Sequence, residues 1–293
     1  MQEYYGTRAK LYIPAHQFVA PSEWTDAAGI SPETRSAQTS RVAVSEFLID
    51  KYPVTRREFV QFILGCSSLA KSMSMTLDLQ YWQEFEAEYQ YDENAPIVGV
   101  TFSEAMLYCN AHGGRLPLLG EWTLASAGMR LRRYPWSQGR TIGGTAHHCN
   151  WQPDLRTNGV KALVNALTPV DRFSRGRSPY GLFDCLGNAR ELSMSPFLGR
   201  QPRTVDAVSQ TSWQSRLWTS IPEVYVCGSS IVSPILSNFE VGLHKPYSRF
   251  SPFGGRALAG SAHRDMTLGF RVAYDVGFTN SYDKQLFRAE FAK

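Results

Sequence analysis

The sequence is poor in paired cysteine, in long apolar runs and in clustered charge, and each shortage removes a class of protein. Five cysteines, Cys66, Cys109, Cys149, Cys185 and Cys227, stand isolated along 293 residues, with no CxxC pair. That spacing argues against a disulfide framework or a zinc knuckle and leaves buried packing as the ordinary role of each thiol, with room for one disulfide. Apolar stretches such as Phe59 to Leu64 fall far short of the roughly 20 residues that cross a bilayer, so no membrane insertion is expected. The formal net charge of +4 is spread without a Lys/Arg run, so no nucleic-acid footprint is expected. Residues 1–5 show no basic segment leading into an apolar one, which leaves the compartment open. Gly254-Gly255-Arg256 lacks the strand, helix and lysine of a phosphate loop, and no Ser/His/Asp arrangement stands out. His147 and His148 beside Cys149 invite a metal reading, but neighbours on an extended chain point to opposite faces and do not easily share an ion.

What is present is a chain that can fold. Hydrophobic residues make up 43% and aromatics 13%, enough for a sizeable core. Helical periodicity is scarce. Thr55-x-x-Glu58 reads as a capping box opening a short helix, with Phe59, Phe62, Ile63 and Cys66 on one face. A second box, Thr101-x-x-Glu104, opens a helix over Ser103–His112, stopped by Gly113-Gly114, and a third helix is expected over Gly120–Ala127. Short β-like runs at Arg41–Ile49, Val224–Val226 and Phe270–Val276 lie among long stretches rich in Gly, Pro, Ser and Asn. The expectation is a folded chain in which regular structure is the minority, built as one domain over residues 1–293.

Ordered blocks then carry a resemblance. Phe47-Leu-Ile-Asp-Lys-Tyr-Pro-Val-Thr55, Pro96 to Ala105 with Tyr108-Cys109, Gly114-Arg-Leu-Pro117 and Glu121-Trp122, Tyr134-Pro-Trp136, Thr168-Pro-Val170, Tyr180 to Asp184, Gly187-Asn188-Ala189 with Glu191, Gly228-x-Ser230 and Leu268-Gly-Phe-Arg271 follow one another along the chain. Together they resemble the formylglycine-generating enzyme, or sulfatase-modifying factor, family over about residues 11–276. The resemblance implies a C-type-lectin-like fold of the α+β class, with few helices, small twisted sheets and much irregular structure. It also implies, in catalytic members, a cysteine pair before the closing Gly-Phe-Arg that binds copper and activates oxygen to convert a substrate cysteine. Pro246–Leu268 contains no cysteine, so this chain has no comparable soft-ligand site and is expected to be non-catalytic.

The resemblance further implies a calcium loop, with side-chain oxygens from Asp184 and Glu191 and carbonyls from Gly187 and Ala189. Two carboxylates with backbone carbonyls suit the hard-oxygen preference of Ca2+. The competing reading is a structural turn in which Asp184 caps a helix and Glu191 pairs with an arginine. A second calcium site would begin at Asn150, but no acid follows between Lys161 and Pro169, so one calcium is expected and the second site is weak or lost. A structural calcium favours an exported, periplasmic setting.

An intact frame without copper thiols points to recognition of a protein partner. The loops Ser193–Pro222 and Ser233–Arg264 carry Trp213, Trp218, His244, Arg249, Arg256 and Arg264, side-chain types that dominate interface hot spots. Family members of similar size include an exported regulator acting on the outer domain of a membrane-bound type VI secretion kinase, which suggests that partner here. The alternative is a metal-dependent oxidase of thiol or cysteine substrates with displaced ligands, such as His244 or His263. Oligomeric state is left open.

Overall fold

A computed structural model describes residues 8–19, 41–65, 78–137, 147–194, 224–233, 241–244 and 264–276. Three small sheets organise these segments. Strands β1 (Lys10–Ile13), β4 (Phe47–Asp50) and β9 (Ala273–Asp275) form the first, with β4 central and antiparallel to both neighbours. Strand β2 (His16–Val19) pairs antiparallel with β3 (Arg41–Val44). The third sheet has the order β7 (Val241–His244), β6 (Val224–Cys227), β5 (Arg190–Met194) and β8 (Leu268–Gly269), in which only β5 and β8 run parallel. Pairing of β4 with β9 brings residues more than two hundred positions apart into register, so the frame is closed by distant segments.

The run expected over Arg41–Ile49 divides between two sheets. Val42 and Val44 are buried in alternation, then Phe47 and Ile49 resume it one position out of phase, and the bend at Ser45-Glu46 absorbs the slip. The run expected over Phe270–Val276 is shorter, Ala273–Asp275, and a separate strand precedes it. Leu268–Gly269 pairs with β5 and Ala273–Asp275 with β4, while the Phe270 carbonyl accepts from the Val54 N–H.

Both capping boxes close as expected. Helix α1 (Arg56–Gly65) starts where the Thr55 N–H donates to Glu58 Oε2 at 2.8 Å and the Glu58 N–H donates to Thr55 Oγ1 at 3.3 Å. Thr101 and Glu104 repeat the exchange at helix α3 (Phe102–Ala111), which ends at Gly113 with φ +70°, a left-handed turn that glycine adopts without strain. Helix α4 (Leu119–Ala127) matches the third expected helix within one residue. Helices α2 (Leu79–Glu88) and α5 (Val160–Asn165) were not anticipated. In α2 only Trp82 and Phe85 are buried, too few to mark a helical period, and its position follows from docking rather than pattern.

That docking builds the main core. Phe59 lies 4.9 Å from Trp82 and 5.8 Å from Phe270, both edge-on, and stacks 5.8 Å from Tyr108. Burying each such ring stabilises by roughly 1.5–3 kcal/mol. Cys109, Cys149, Cys185 and Cys227 are free and buried, as small hydrophobes; Cys66 lies outside the described residues. Among the described residues no helix is long and apolar enough to cross a membrane.

Candidate functional site

The Asp184–Glu191 loop is shaped by residues in the left-handed region: Asp184 at φ +52°, Gly187 at +79° and Asn188 at +59°. Such a backbone curls the segment so that its polar groups turn inward. Gly187 is needed for a second reason. A Cβ there would stand 2.7 Å from the Asn150 carbonyl oxygen, so the loop lies directly against residues 149–150.

Asn188 is the hub. Its Nδ2 donates to the Thr168 carbonyl at 2.8 Å and to Asp184 Oδ2 at 3.0 Å, and its Oδ1 accepts from the Thr168 N–H and from Asn150 Nδ2, each at 3.1 Å. All four hydrogen-bonding positions of the amide are thereby used. Its own backbone N–H donates to the Asn150 carbonyl at 2.8 Å. Asn150, expected to open a second ion site, is buried and serves as a clasp. Its Nδ2 also reaches the Ala166 carbonyl, and its Oδ1 accepts from Gln152 Nε2.

Glu191 is committed elsewhere in the molecule. Arg271 grips it through Nε to Oε2 at 2.6 Å and Nη2 to Oε1 at 2.5 Å, and Trp122 Nε1 donates to Oε2 at 2.9 Å. The Glu191 and Arg271 side chains are 1% and 0% exposed. Arg271 Nη2 also donates to the Phe183 carbonyl at 2.8 Å, and Nη1 to the Asp50 and Lys51 carbonyls, each at 3.3 Å. The guanidinium therefore neutralises the carboxylate that the calcium reading assigned to an ion, and the arginine-paired alternative describes Glu191.

Asp184 differs. Its Oδ1 is buried without a hydrogen-bond donor among the described residues, and burial pushes its carboxyl up to about 7, against the opposing pull of Asn188 and Arg271. An orphaned carboxylate oxygen of this kind suits a hard cation. The donor set thus fits an ion at Asp184, with the Gly187 and Ala189 carbonyls in the same loop, and does not supply Glu191 as a second uncommitted charge. Among the described residues no group of three or more His, Cys, Asp or Glu side chains comes together. His147 and His148 hold no such group; His148 instead stacks on Trp136 at 4.9 Å.

Arg264, expected on a recognition surface, requires correction. It is 5% exposed and bonds Glu104 through both carboxylate oxygens, at 2.6 and 2.8 Å, and the Gly99 carbonyl at 2.9 Å. Its guanidinium lies 3.8 Å from the Tyr81 ring centroid, and Trp82 Nε1 donates to Glu104 at 2.8 Å. A buried arginine engaged in this way anchors its own loop and is withdrawn from partners. Two Trp–Glu–Arg clasps therefore recur: Trp122–Glu191–Arg271 and Trp82–Glu104–Arg264. The closing Gly-Phe-Arg was visible in sequence, but the pairing of its arginine with Glu191 was not. Trp213, Trp218, Arg249, Arg256 and His263 lie outside the described residues, and His244 ends strand β7.

The buried thiols have no thiolate character. Burial pushes Cys149 and Cys185 up to about 12 and raises Cys109 and Cys227 as well.

Three small sheets, few helices and long loops clasped by buried ion pairs define a C-type-lectin-like α+β protein. The sulfatase-modifying factor enzyme 1-like domain matches residues 6–276, and the chain belongs to this family. It is 26% identical over 218 residues to the formylglycine-generating enzyme of Thermomonospora curvata, covering 63% of this chain and 70% of that protein. Identity to the inactive C-alpha-formylglycine-generating enzyme 2 of Mus musculus is 26% over 233 residues, covering 64% and 69%. The structure of PvdO from Pseudomonas aeruginosa matches with a TM-score of 0.51 at 16% identity, across 91% of this chain and 94% of that one, a likeness of fold alone. Relatives thus include both enzymes and an inactive protein, and the family by itself does not decide activity.

Proposed function

We propose that this chain is a non-catalytic binding protein on a formylglycine-generating-enzyme-like frame, recognising a protein partner through the loops between residues 193 and 264. The observation that carries this reading is the absence of cysteine from Pro246–Leu268, together with the burial of Cys109, Cys149, Cys185 and Cys227. A paired-thiolate Cu(I) site of the kind the resemblance implies for catalytic members needs two cysteines in that segment, and it has none. The outer domain of a membrane-bound kinase is the partner class that the reading favours. It calls for an exported setting, where calcium at the Asp184 loop stiffens the frame, and that ion would share its neighbourhood with Arg271.

The test is a Cu(I) titration of the purified full chain paired with mass spectrometry of a cysteine-containing sulfatase peptide. Neither tight copper binding nor conversion of the peptide is expected. Stoichiometric copper with formylglycine formation would establish the competing oxidase reading. Partner recognition is tested by binding to a purified kinase outer domain, which Trp213→Ala or Arg249→Ala should abolish while the fold is retained.

A further inference from the structure

A groove of about 630 Å³ is lined by Arg132, Arg175, Arg177, Trp136, His148 and Tyr180 with neighbouring small residues, alongside the segment that leads into the Asp184 loop. Its volume falls within the range of roughly 300–1,000 Å³ typical of small-ligand sites. Three arginines line one concavity, and no Asp or Glu is among the described residues that line it. Like charges gathered without a lining carboxylate are suited to an anion.

The walls are fixed by close backbone packing. Gly176 sits so near His148 that a Cβ would fall 1.8 Å from the His148 carbonyl oxygen. On the opposite wall a Cβ on Gly128 would fall 2.7 Å from Pro179, and the Arg132 N–H donates to the Ala127 carbonyl at 2.9 Å. Arg177 is steadied by its Nε donating to the Ser174 carbonyl at 2.8 Å. Tyr134 stacks on Trp136 at 5.6 Å and 17°, and Trp136 on His148 at 4.9 Å and 26°, an aromatic column whose His148 end borders the groove. The Tyr180 hydroxyl is buried with no hydrogen-bond partner among the described residues.

We infer that this groove binds a small ligand in which a phosphate ester is joined to a flat ring. The guanidinium fork matches phosphate oxygens bidentately, and a ring extends the Tyr134–Trp136–His148 column at its His148 end. Nucleoside monophosphates and aryl phosphates share that chemistry. The inference is independent of the partner-binding reading, since it concerns different residues and a different class of ligand.

Isothermal titration of the full chain with phenyl phosphate, adenosine monophosphate, inorganic phosphate and adenosine tests it. Ring-bearing phosphates should bind, inorganic phosphate more weakly, and adenosine not measurably; the tighter of the two ring phosphates identifies the natural class. Losing charge-assisted hydrogen bonds in the Arg175→Ala/Arg177→Ala double variant should weaken binding about 10-fold or more. Both side chains are exposed, so the fold should persist. Arg172→Ala, just outside the groove, should leave affinity unchanged. Trp136→Ala should reduce ring phosphates to the affinity of inorganic phosphate. The inference is overturned if no ring phosphate binds at millimolar concentration, if ring phosphates bind no better than inorganic phosphate, or if Arg172→Ala costs as much as the double variant.

Discussion

Glu191→Gln is the most informative single change in this molecule. It keeps the volume and the Trp122 hydrogen bond but leaves the Arg271 guanidinium, 0% exposed, without its counter-charge. Breaking a buried ion pair by removing one partner costs about 3–5 kcal/mol, because the survivor keeps its desolvation penalty. Arg271 also holds the Phe183, Asp50 and Lys51 carbonyls, so the wild-type pair joins the loop before β5 to the central strand β4. Urea unfolding should show a lower midpoint at unchanged slope, and Tm should fall by about 6–20 °C at roughly 2–4 °C per kcal/mol for a chain of this size. Arg271→Met alone should be comparably destabilising. The double variant Glu191→Gln/Arg271→Met should be more stable than the sum of the singles by about 1–3 kcal/mol, the coupling expected of residues in contact. Additive singles, or a Glu191→Gln loss under about 1 kcal/mol, would refute the view that this pair is the buried clasp of the frame. Calcium distinguishes the two views of the loop: if Glu191 were an ion ligand, its substitution would also remove any calcium-dependent rise in Tm.

The remaining expectations are simpler to test. Gly187→Ala forces a side chain into a left-handed backbone and against the Asn150 carbonyl, and should cost more than the roughly 1–2 kcal/mol of the backbone strain alone, read by urea denaturation. Burial lowers the His112 pKa below its ordinary 6.5, while Nδ1 contacts the Tyr108 carbonyl. The folded state therefore binds this proton less readily than the unfolded chain. The stability contribution is full above 6.5 and is lost as pH falls through the depressed folded value. His112→Gln should flatten that part of the stability profile against pH. Cys109, Cys149, Cys185 and Cys227 should resist a thiol-labelling reagent in the native protein and react on unfolding, with peptide mapping to assign each; fast native labelling of any of the four would contradict their burial.

Local chemistry was readable before any coordinates. The capping boxes at Thr55 and Thr101 place two helices because a hydroxyl and a carboxylate three residues apart satisfy orphan N–H groups without help from the rest of the chain. The missing thiols of Pro246–Leu268 were equally plain, since an absent ligand needs no geometry to be recognised. The Asp184–Glu191 loop was found by its pattern, yet its chemistry was only half legible. Two acids in one loop look alike in sequence, and only folding shows that one meets Arg271 and the other keeps an open oxygen.

The amino-acid order alone determined what is short-range: caps, glycine stops, the scarcity of helical periodicity and the absence of cysteine from Pro246–Leu268. Tertiary structure alone decided the rest. It split Arg41–Ile49 between two sheets, gave the closing segment one strand in each of two sheets, and seated α2 on Phe59. It joined Glu191 to Arg271 and Glu104 to Arg264, and drew three arginines around one groove. The physical reason is range. A cap or a turn closes within a few residues, whereas a buried charge takes its meaning from whichever partner the completed fold brings to it, 160 residues away for Glu104 and Arg264.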